Sequence, residues 1–186
     1  ENAIDAGSSA VTVEIKEGGI SFIRISDNGC GIEREQIPLA FLRHSTSKIK
    51  SVEDLFTVTS LGFRGEALSS IAAVSQVELI TKTNGDFTGS RYLIEGSKEV
   101  SLEEIGAPDG TTFIRNLFYN TPARKKFLKS AQTEGTYIHE LMQRMILSHP
   151  DVAFKFIMNN QVKLRSSGNG NIKDIIYHLY GRDITK

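Results

Sequence analysis

Two glycine-rich clusters hold the residues best suited to chemistry. Asp27-Asn28-Gly29-Cys30-Gly31 follows a predicted strand. A carboxylate at a strand end can accept a hydrogen bond from an exocyclic amine, and glycines let a flat ring approach the backbone closely. Asp27, Gly29 and Gly31 therefore predict an adenine site, with a tight D-N-G surface turn as the alternative interpretation.

The second cluster, Gly62-Phe63-Arg64-Gly65-Glu66-Ala67-Leu68, leads into a predicted helix. Glycines beside Arg64 and a helix that begins at Glu66 present free backbone N–H groups and a positive dipole end to an anion. The alternative is a glycine-rich connection before a buried helix.

Hydroxyl groups and cations gather between these clusters, in Arg43-His44-Ser45-Thr46-Ser47-Lys48. Such groups grip phosphate oxygens. A solvated loop with a helix cap at Ser51 would have a similar composition, so both interpretations stay open.

Three single residues complete the candidate set. Asn2 offers a neutral oxygen to Mg²⁺, a metal that takes few protein ligands, although an asparagine at a helix end needs no ligand. Asp5, one turn later, could orient its neighbours or pair at the surface. Thr111 opens a predicted strand, where its hydroxyl could contact a base edge, but threonine is also a routine strand residue.

Several familiar site motifs are missing from the sequence. There is no G-x-x-x-x-G-K-[ST] loop and no G-x-G-x-x-G after the first strand, and His139-Glu140 has no second histidine at the spacing of a zinc protease. A P-loop, a dinucleotide fold of the Rossmann type and an H-E-x-x-H zinc site are therefore excluded.

Hydrophobic periodicity supplies the elements that would position these residues. Their order favours an α+β fold, a two-layer sandwich with a mostly antiparallel sheet. The predicted helices cover residues 1–6, 33–42, 66–74, 131–147 and 172–180; the predicted strands cover 11–16, 20–26, 76–83, 90–94, 99–105 and 111–115, with a hairpin over 152–164 that turns at Asn159-Asn160.

Composition limits the possible partners. The 186 residues carry 22 Lys+Arg and 22 Asp+Glu, so no net charge attracts a polyanion to the whole chain. DNA contact would need a local basic patch; the candidate is Arg124, Lys125, Lys126 and Lys129, which could equally be a solvated face. The single Cys30 excludes an internal disulfide and suits a reducing cytoplasm, and no apolar run approaches the roughly 20 residues that span a bilayer.

Two boundaries are expected. Residues 1–165 form one domain, and 166–186 form a linker, which contains S-S-G-N-G-N, and the incomplete start of a second domain. The sequence begins at Glu1-Asn2 without methionine, and we expect this start to be a cut inside a longer protein.

The motifs, in this order, resemble those of the GHKL ATPases, the superfamily of gyrase B, heat-shock chaperones and sensor histidine kinases. They are E-N-x-x-D-A-G at 1–7, D-N-G-C-G-I at 27–32, R-H-x-T-S-K at 43–48, G-F-R-G-E-A-L at 62–68 and G-T-T at 110–112. Within that superfamily, R-H-x-T-S-K-I, G-F-R-G-E-A-L-x-S-I and L-F-Y-N-T-P-A-R-K-K-F at 117–127 resemble the MutL-type DNA mismatch repair proteins, in particular the bacterial branch.

The resemblance implies a GHKL (Bergerat) fold that binds ATP with Mg²⁺. Asn2 would ligate the metal, Asp27 would accept from the adenine amino group, and Thr111 would assist at the adenine end. The implied ATP-binding set is Asn2, Asp5, Asp27, Gly29, Gly31, Thr46, Ser47, Lys48, Gly62, Arg64, Gly65, Glu66, Ala67, Leu68 and Thr111.

The resemblance also implies an ATP-driven clamp. ATP would order a lid and join two N-terminal modules into a homodimer, which couples a mismatch-recognition protein to strand-removal enzymes in the bacterial cytoplasm. In the family, a glutamate four residues before the metal-binding asparagine is the general base, and that position lies upstream of Glu1. We therefore expect this chain to bind ATP and hydrolyse it poorly. The alternative is a catalytically silent nucleotide-binding or interaction module.

Overall fold

The structure, a computed structural model that describes residues 1–42 and 67–181, is built on one eight-stranded sheet. The strand order is β5-β4-β3-β6-β2-β1-β7-β8. Every neighbouring pair is antiparallel except β1 and β7, which are parallel. The strands are β1 Ala10–Lys16, β2 Phe22–Asp27, β3 Ser75–Lys82, β4 Gly89–Glu95, β5 Lys98–Ile105, β6 Gly110–Leu117, β7 Ala153–Met158 and β8 Gln161–Arg165.

Six α-helices accompany the sheet in the described residues, together with short 3-10 turns at Glu17–Gly19 and Arg34–Gln36. The longest, α5, begins where the Ser130 hydroxyl accepts a hydrogen bond from the Thr133 amide, the capping role expected of serine. The helices are α1 Asn2–Asp5, α2 Ile37–Ala40, α3 Ala67–Val74, α4 Pro122–Lys125, α5 Ala131–Ser148 and α6 Ile172–Tyr180.

Helices pack on one face of the sheet, here called the inner face. Met142 and Ile146 of α5 join Phe156 and other strand residues in one core cluster. Ala72 of α3 joins Leu79 and its neighbours in a second cluster. The predicted two-layer α+β sandwich with a mostly antiparallel sheet is therefore confirmed.

Strand pairing arranges the inner face in rows. One row reads Val13, Ile25, Phe113, Leu79 and Tyr92 across five adjacent strands. These side chains are apolar or aromatic, and the side chains between them point to the opposite face. That opposite face carries polar pairs, such as the ion pair of Arg24 with Glu14.

Most predicted elements form close to their expected limits. Asn159 and Asn160 both have positive φ, 51° and 64°, as a two-residue hairpin turn of type I′ requires. The helix expected over 33–42 is shorter, a 3-10 turn followed by α2. The parallel pairing of β1 with β7 and the helix α4 were not predicted.

The C-terminal helix α6 packs on the same body. Ile175 is 4% exposed and belongs to the first core cluster with Ile146. The division of the chain at residue 165 into two domains stays a prediction. Among the described helices, none is both long and apolar enough to cross a bilayer.

Candidate functional site

Three strand ends meet at one end of the sheet. β2 ends at Asp27, β3 ends at Lys82 and β6 begins at Gly110. Asp27 lies opposite Thr111, which in turn lies opposite Thr81 on the other side of β6. This polar row continues the apolar rows of the inner face, so the three side chains point toward the helical layer.

One oxygen of the Asp27 carboxylate is used by the fold. Its Oδ1 accepts from the Gly29 amide at 2.9 Å and from the Ser8 hydroxyl at 3.2 Å. No described residue donates to Oδ2. This oxygen is therefore available as an acceptor for a ligand amine.

Glycine is required at two positions beside Asp27 because backbone approaches closely there. Gly31 has a φ of +71°, and a Cβ built on it would lie 2.2 Å from the Lys82 carbonyl oxygen. A Cβ on Gly29 would lie 2.7 Å from the Cβ of Ala6. The loop of residues 27–31 therefore packs against β3 and the end of α1. It forms one wall of the site, which a planar ring could contact.

Thr81 fixes this wall to the sheet. The residue is 1% exposed. Its hydroxyl donates to the Gly110 carbonyl at 3.1 Å and accepts from the Ile32 amide at 3.0 Å. Because its proton is used by Gly110, the 3.0 Å contact with Thr111 has Thr111 as donor. The lone pairs of the Thr111 oxygen then remain as acceptors toward a ligand.

Helix α1 carries Asn2 and Asp5 and is joined to the same loop. The Cys30 amide donates to the Ala6 carbonyl at 3.0 Å, and the Ala6 amide donates to the Asn2 carbonyl at 2.9 Å. Asn2 is exposed, and its side chain has no hydrogen-bond partner among the described residues. Such a free amide oxygen suits Mg²⁺, which keeps most of its waters and takes one or two protein ligands besides phosphate.

Of the second glycine cluster, the structure describes the last two residues. Ala67 and Leu68 open α3, where Leu68 packs against the second core cluster. The other predicted phosphate-side residues lie outside the described residues: Thr46, Ser47, Lys48, Gly62, Arg64, Gly65 and Glu66.

Sequence reasoning missed three residues that shape the cluster. Ser8 donates to Asp27, and Thr81 is hydrogen-bonded to Thr111. The side-chain Oδ1 of Asn28 accepts from the backbone amides of Ser9 and Ala10 at 3.0 and 2.9 Å. Thr81 could have been found, because its alternation with Val77 and Leu79 places it on the inner face. For Ser8, nothing in the local pattern indicated proximity to Asp27.

The basic patch of Arg124, Lys125, Lys126 and Lys129 lies on α4 and the segment after it, and all four side chains are exposed. The Lys129 amine donates to the Tyr137 hydroxyl at 2.7 Å, and this hydrogen bond raises the pKa of Lys129. Phe127, within the patch, is 88% exposed. Cations and an open aromatic ring thus share one surface.

Comparison with known proteins was made at the level of families, sequences and structures. Residues 1–110 match the family described as histidine kinase-, DNA gyrase B- and HSP90-like ATPase. This match includes Asp27, Gly29, Gly31 and Thr81 and covers more than half of the chain.

Curated relatives are DNA mismatch repair proteins. The chain is 74% identical over 186 residues to MutL of Agathobacter rectalis and 49% identical over 185 residues to MutL of Caldanaerobacter subterraneus subsp. tengcongensis. The two alignments cover 100% and 99% of this chain. It spans 29% and 31% of the length of those two relatives.

Solved structures agree with this grouping. The fold is similar to the Aquifex aeolicus MutL ATPase domain complexed with ADP, with a TM-score of 0.75, 28% identity, and 96% of this chain and 64% of that one covered. It is also similar to the N-terminal domain of a DNA repair protein, with a TM-score of 0.79, 26% identity, and 97% and 54% covered. The chain therefore has the GHKL ATPase fold and belongs to the family of histidine kinase-, DNA gyrase B- and HSP90-like ATPases, where its resemblance to the MutL-type mismatch repair proteins is confirmed.

Proposed function

We propose that this chain is the ATP-binding region of a bacterial DNA mismatch repair protein and that it binds Mg·ATP at the end of the sheet where Asp27, Gly29, Gly31 and Thr111 lie together. The observation that carries the proposal is the free Oδ2 of Asp27, which lies on the inner face beside close-packed glycines and the Thr111 hydroxyl. The Aquifex aeolicus relative, described as complexed with ADP, supports a nucleotide as the ligand.

The base is recognised through hydrogen-bond polarity. Asp27 accepts from the adenine amino group, whereas guanine presents a carbonyl oxygen at the corresponding ring position and is repelled by the carboxylate. Gly29 and Gly31 let the loop pack against β3 and α1 as a wall beside the ring, and Thr111 adds an acceptor. The pocket therefore favours ATP over GTP.

The phosphates are held on the side of α1 and α3. Asn2 would hold Mg²⁺, which would offset the negative charge of the phosphates, with Asp5 one turn away on the same helix. Backbone amides at the start of α3 add donors. The remaining contacts in this proposal come from Thr46, Ser47, Lys48, Gly62, Arg64, Gly65, Glu66, Ala67 and Leu68.

ATP binding orders the segment around Arg64 as a lid and brings two copies of the parent protein together as a homodimer. The dimer relays mismatch recognition to the enzymes that remove the strand. The setting is the cytoplasm, in keeping with Cys30 as an exposed free thiol.

Hydrolysis needs a base that activates water, and the family pattern places that glutamate four residues before Asn2. We propose that the 186 residues bind ATP and hydrolyse it poorly. The test compares ATP binding and phosphate release between this chain and one extended upstream by a few tens of residues.

The expected result is binding by both chains and hydrolysis by the longer one alone. An extended chain with Asn2→Ala is the matched control, and it should lose metal-dependent turnover. Background hydrolysis in the extended chain would instead favour the alternative function, a catalytically silent nucleotide-binding module.

Direct DNA binding is a second candidate function, favoured by the exposed basic patch. The Lys129 amine donates to the Tyr137 hydroxyl, and Phe127 offers a ring on which an unpaired base could stack. With no net charge on the chain, this binding would be weak and local.

A further inference from the structure

Arg115 lies in the middle of the inner face, where its neighbours are apolar. It is directly opposite Ile23 on β2 and Val77 on β3, which are 7% and 2% exposed. Ile23 belongs to the first core cluster and Val77 to the second, so Arg115 lies at the boundary between them. It shares its face with Phe113 and Thr111 because alternate residues of β6 point the same way.

Among the described residues, no group bonds to the Arg115 guanidinium. Its Nε is buried without a hydrogen bond, and no described carboxylate forms an ion pair with it. Burial lowers the pKa of Arg115 from its ordinary value. Arg115 as a whole is half-buried, and its Nε is the atom left unpaired, although buried polar atoms are nearly always paired. A ligand anion on the inner face would supply the missing partner.

On the described part of the inner face, the other charged side chain is that of Asp27, at the proposed site for the base. Across the described side chains of β1, β2, β3, β4 and β6, the inner rows contain two charged groups, Asp27 and Arg115. Arg115 follows Thr111, the partner of Asp27, by four residues, which is about 14 Å along a strand. A nucleoside triphosphate has the matching polarity, with an amine at one end and phosphate oxygens at the other.

We propose that Arg115 is a further nucleotide-binding residue, which contacts phosphate oxygens from the floor of the pocket while Asp27 holds the base. This inference rests on the proposed ATP site. Its planar guanidinium can donate two parallel hydrogen bonds to a phosphate. The two charged side chains then fix both ends of the ligand along one pair of strands.

The test measures the affinity of ATP and of adenosine, by calorimetry, for the wild-type chain, Arg115→Met and Arg115→Lys. Methionine keeps an unbranched chain of similar reach to the aliphatic part of arginine and suits apolar neighbours, so the fold is retained. We expect Arg115→Met to weaken ATP by about 10- to 100-fold and to leave adenosine unchanged. Arg115→Lys should retain part of the ATP affinity.

Arg144→Met is the control, because Arg144 is 76% exposed on α5, and it should leave both affinities unchanged. Unchanged ATP affinity in Arg115→Met would overturn the inference, as would an equal loss for ATP and adenosine, which would indicate altered packing. A wild-type chain that binds neither compound would instead overturn the proposed ATP site itself.

Discussion

The Asp27 carboxylate lies directly opposite Thr111 across the antiparallel pair of β2 and β6. Thr111 is hydrogen-bonded at 3.0 Å to Thr81, its opposite residue on β3. A carboxylate and two hydroxyls therefore form one polar row at the end of a largely apolar sheet face. The order of the strands, rather than any local motif, brings these groups together.

Gly31→Ala should destabilise the loop that forms the wall of the site. A methyl group at a φ of +71° and 2.2 Å from the Lys82 carbonyl oxygen forces the loop away from β3. We expect a loss of about 1–3 kcal/mol in the free energy of unfolding, measured with urea. Gly85→Ala is the control, since a Cβ there meets nothing within 4 Å. Equal stability of the two variants would show that the close approach is absent.

Thr81→Val keeps the shape of the side chain and removes the hydroxyl. The Ile32 amide and the Gly110 carbonyl then lose a partner inside the fold. The expected cost is about 1–3 kcal/mol in urea unfolding. Thr112→Val, on the opposite face of β6, removes the 3.0 Å bond to the Ser26 hydroxyl where both groups are half-buried, and it should cost less. A smaller loss for Thr81→Val than for Thr112→Val would contradict the role given to Thr81.

Tyr92 makes stability depend on pH under alkaline conditions. Burial first, and then Glu99, raise the pKa of Tyr92 to about 12. The folded state holds the phenol proton more tightly than the unfolded state, whose tyrosine has a pKa of about 10. This contribution is therefore complete below pH 10 and is lost as the pH rises from about 10 to 12.

Tyr92→Phe keeps the ring that packs against Phe41 and should remove this dependence. The difference in unfolding free energy between wild type and variant should change by about 2–3 kcal/mol between pH 9 and pH 12. A difference that stays constant over this interval would contradict the assignment.

DNA affinity, if it resides in the basic patch, must depend on salt. Each phosphate contact contributes about −0.9 to the slope of log affinity against log salt for duplex DNA. Replacing Lys125 and Lys126 with alanine should make the slope shallower by about 2. Lys163 and Arg165, exposed on β8, supply the control pair. A slope near zero in the wild-type chain would exclude the patch as a DNA site.

The sequence predicted elements well and their pairing less well. Alternation in 11–16 and 20–26 predicted the first hairpin, because sequence neighbours pair through a short turn. The row from Asp27 to Thr111 joins strands that are far apart in the chain, and nothing local indicates which strands become neighbours. The parallel contact of β1 with β7 was missed for the same reason.

The side chains of the site were likewise predictable where local sequence decides and not where strand pairing decides. Asp27, Gly29 and Gly31 stood out because a carboxylate followed by two glycines at a strand end could bind a flat base, and the structure brings them together with Thr111. The sequence did not single out Arg115. Its place among apolar side chains becomes evident only when β6 pairs with β2 on one side and β3 on the other. Its lack of a partner is visible only after the fold is assembled.

The central claim is that Asp27 recognises the base of ATP, and calorimetric binding of ATP to wild type and Asp27→Asn tests it most directly. Asparagine can keep the Oδ1 bonds to Gly29 and Ser8 but replaces the free acceptor with a donor that faces the adenine amine. We predict that Asp27→Asn folds like the wild type and binds ATP about 10- to 150-fold more weakly. The exposed control Asp151→Asn should bind like wild type. Undiminished ATP affinity in Asp27→Asn would contradict the account.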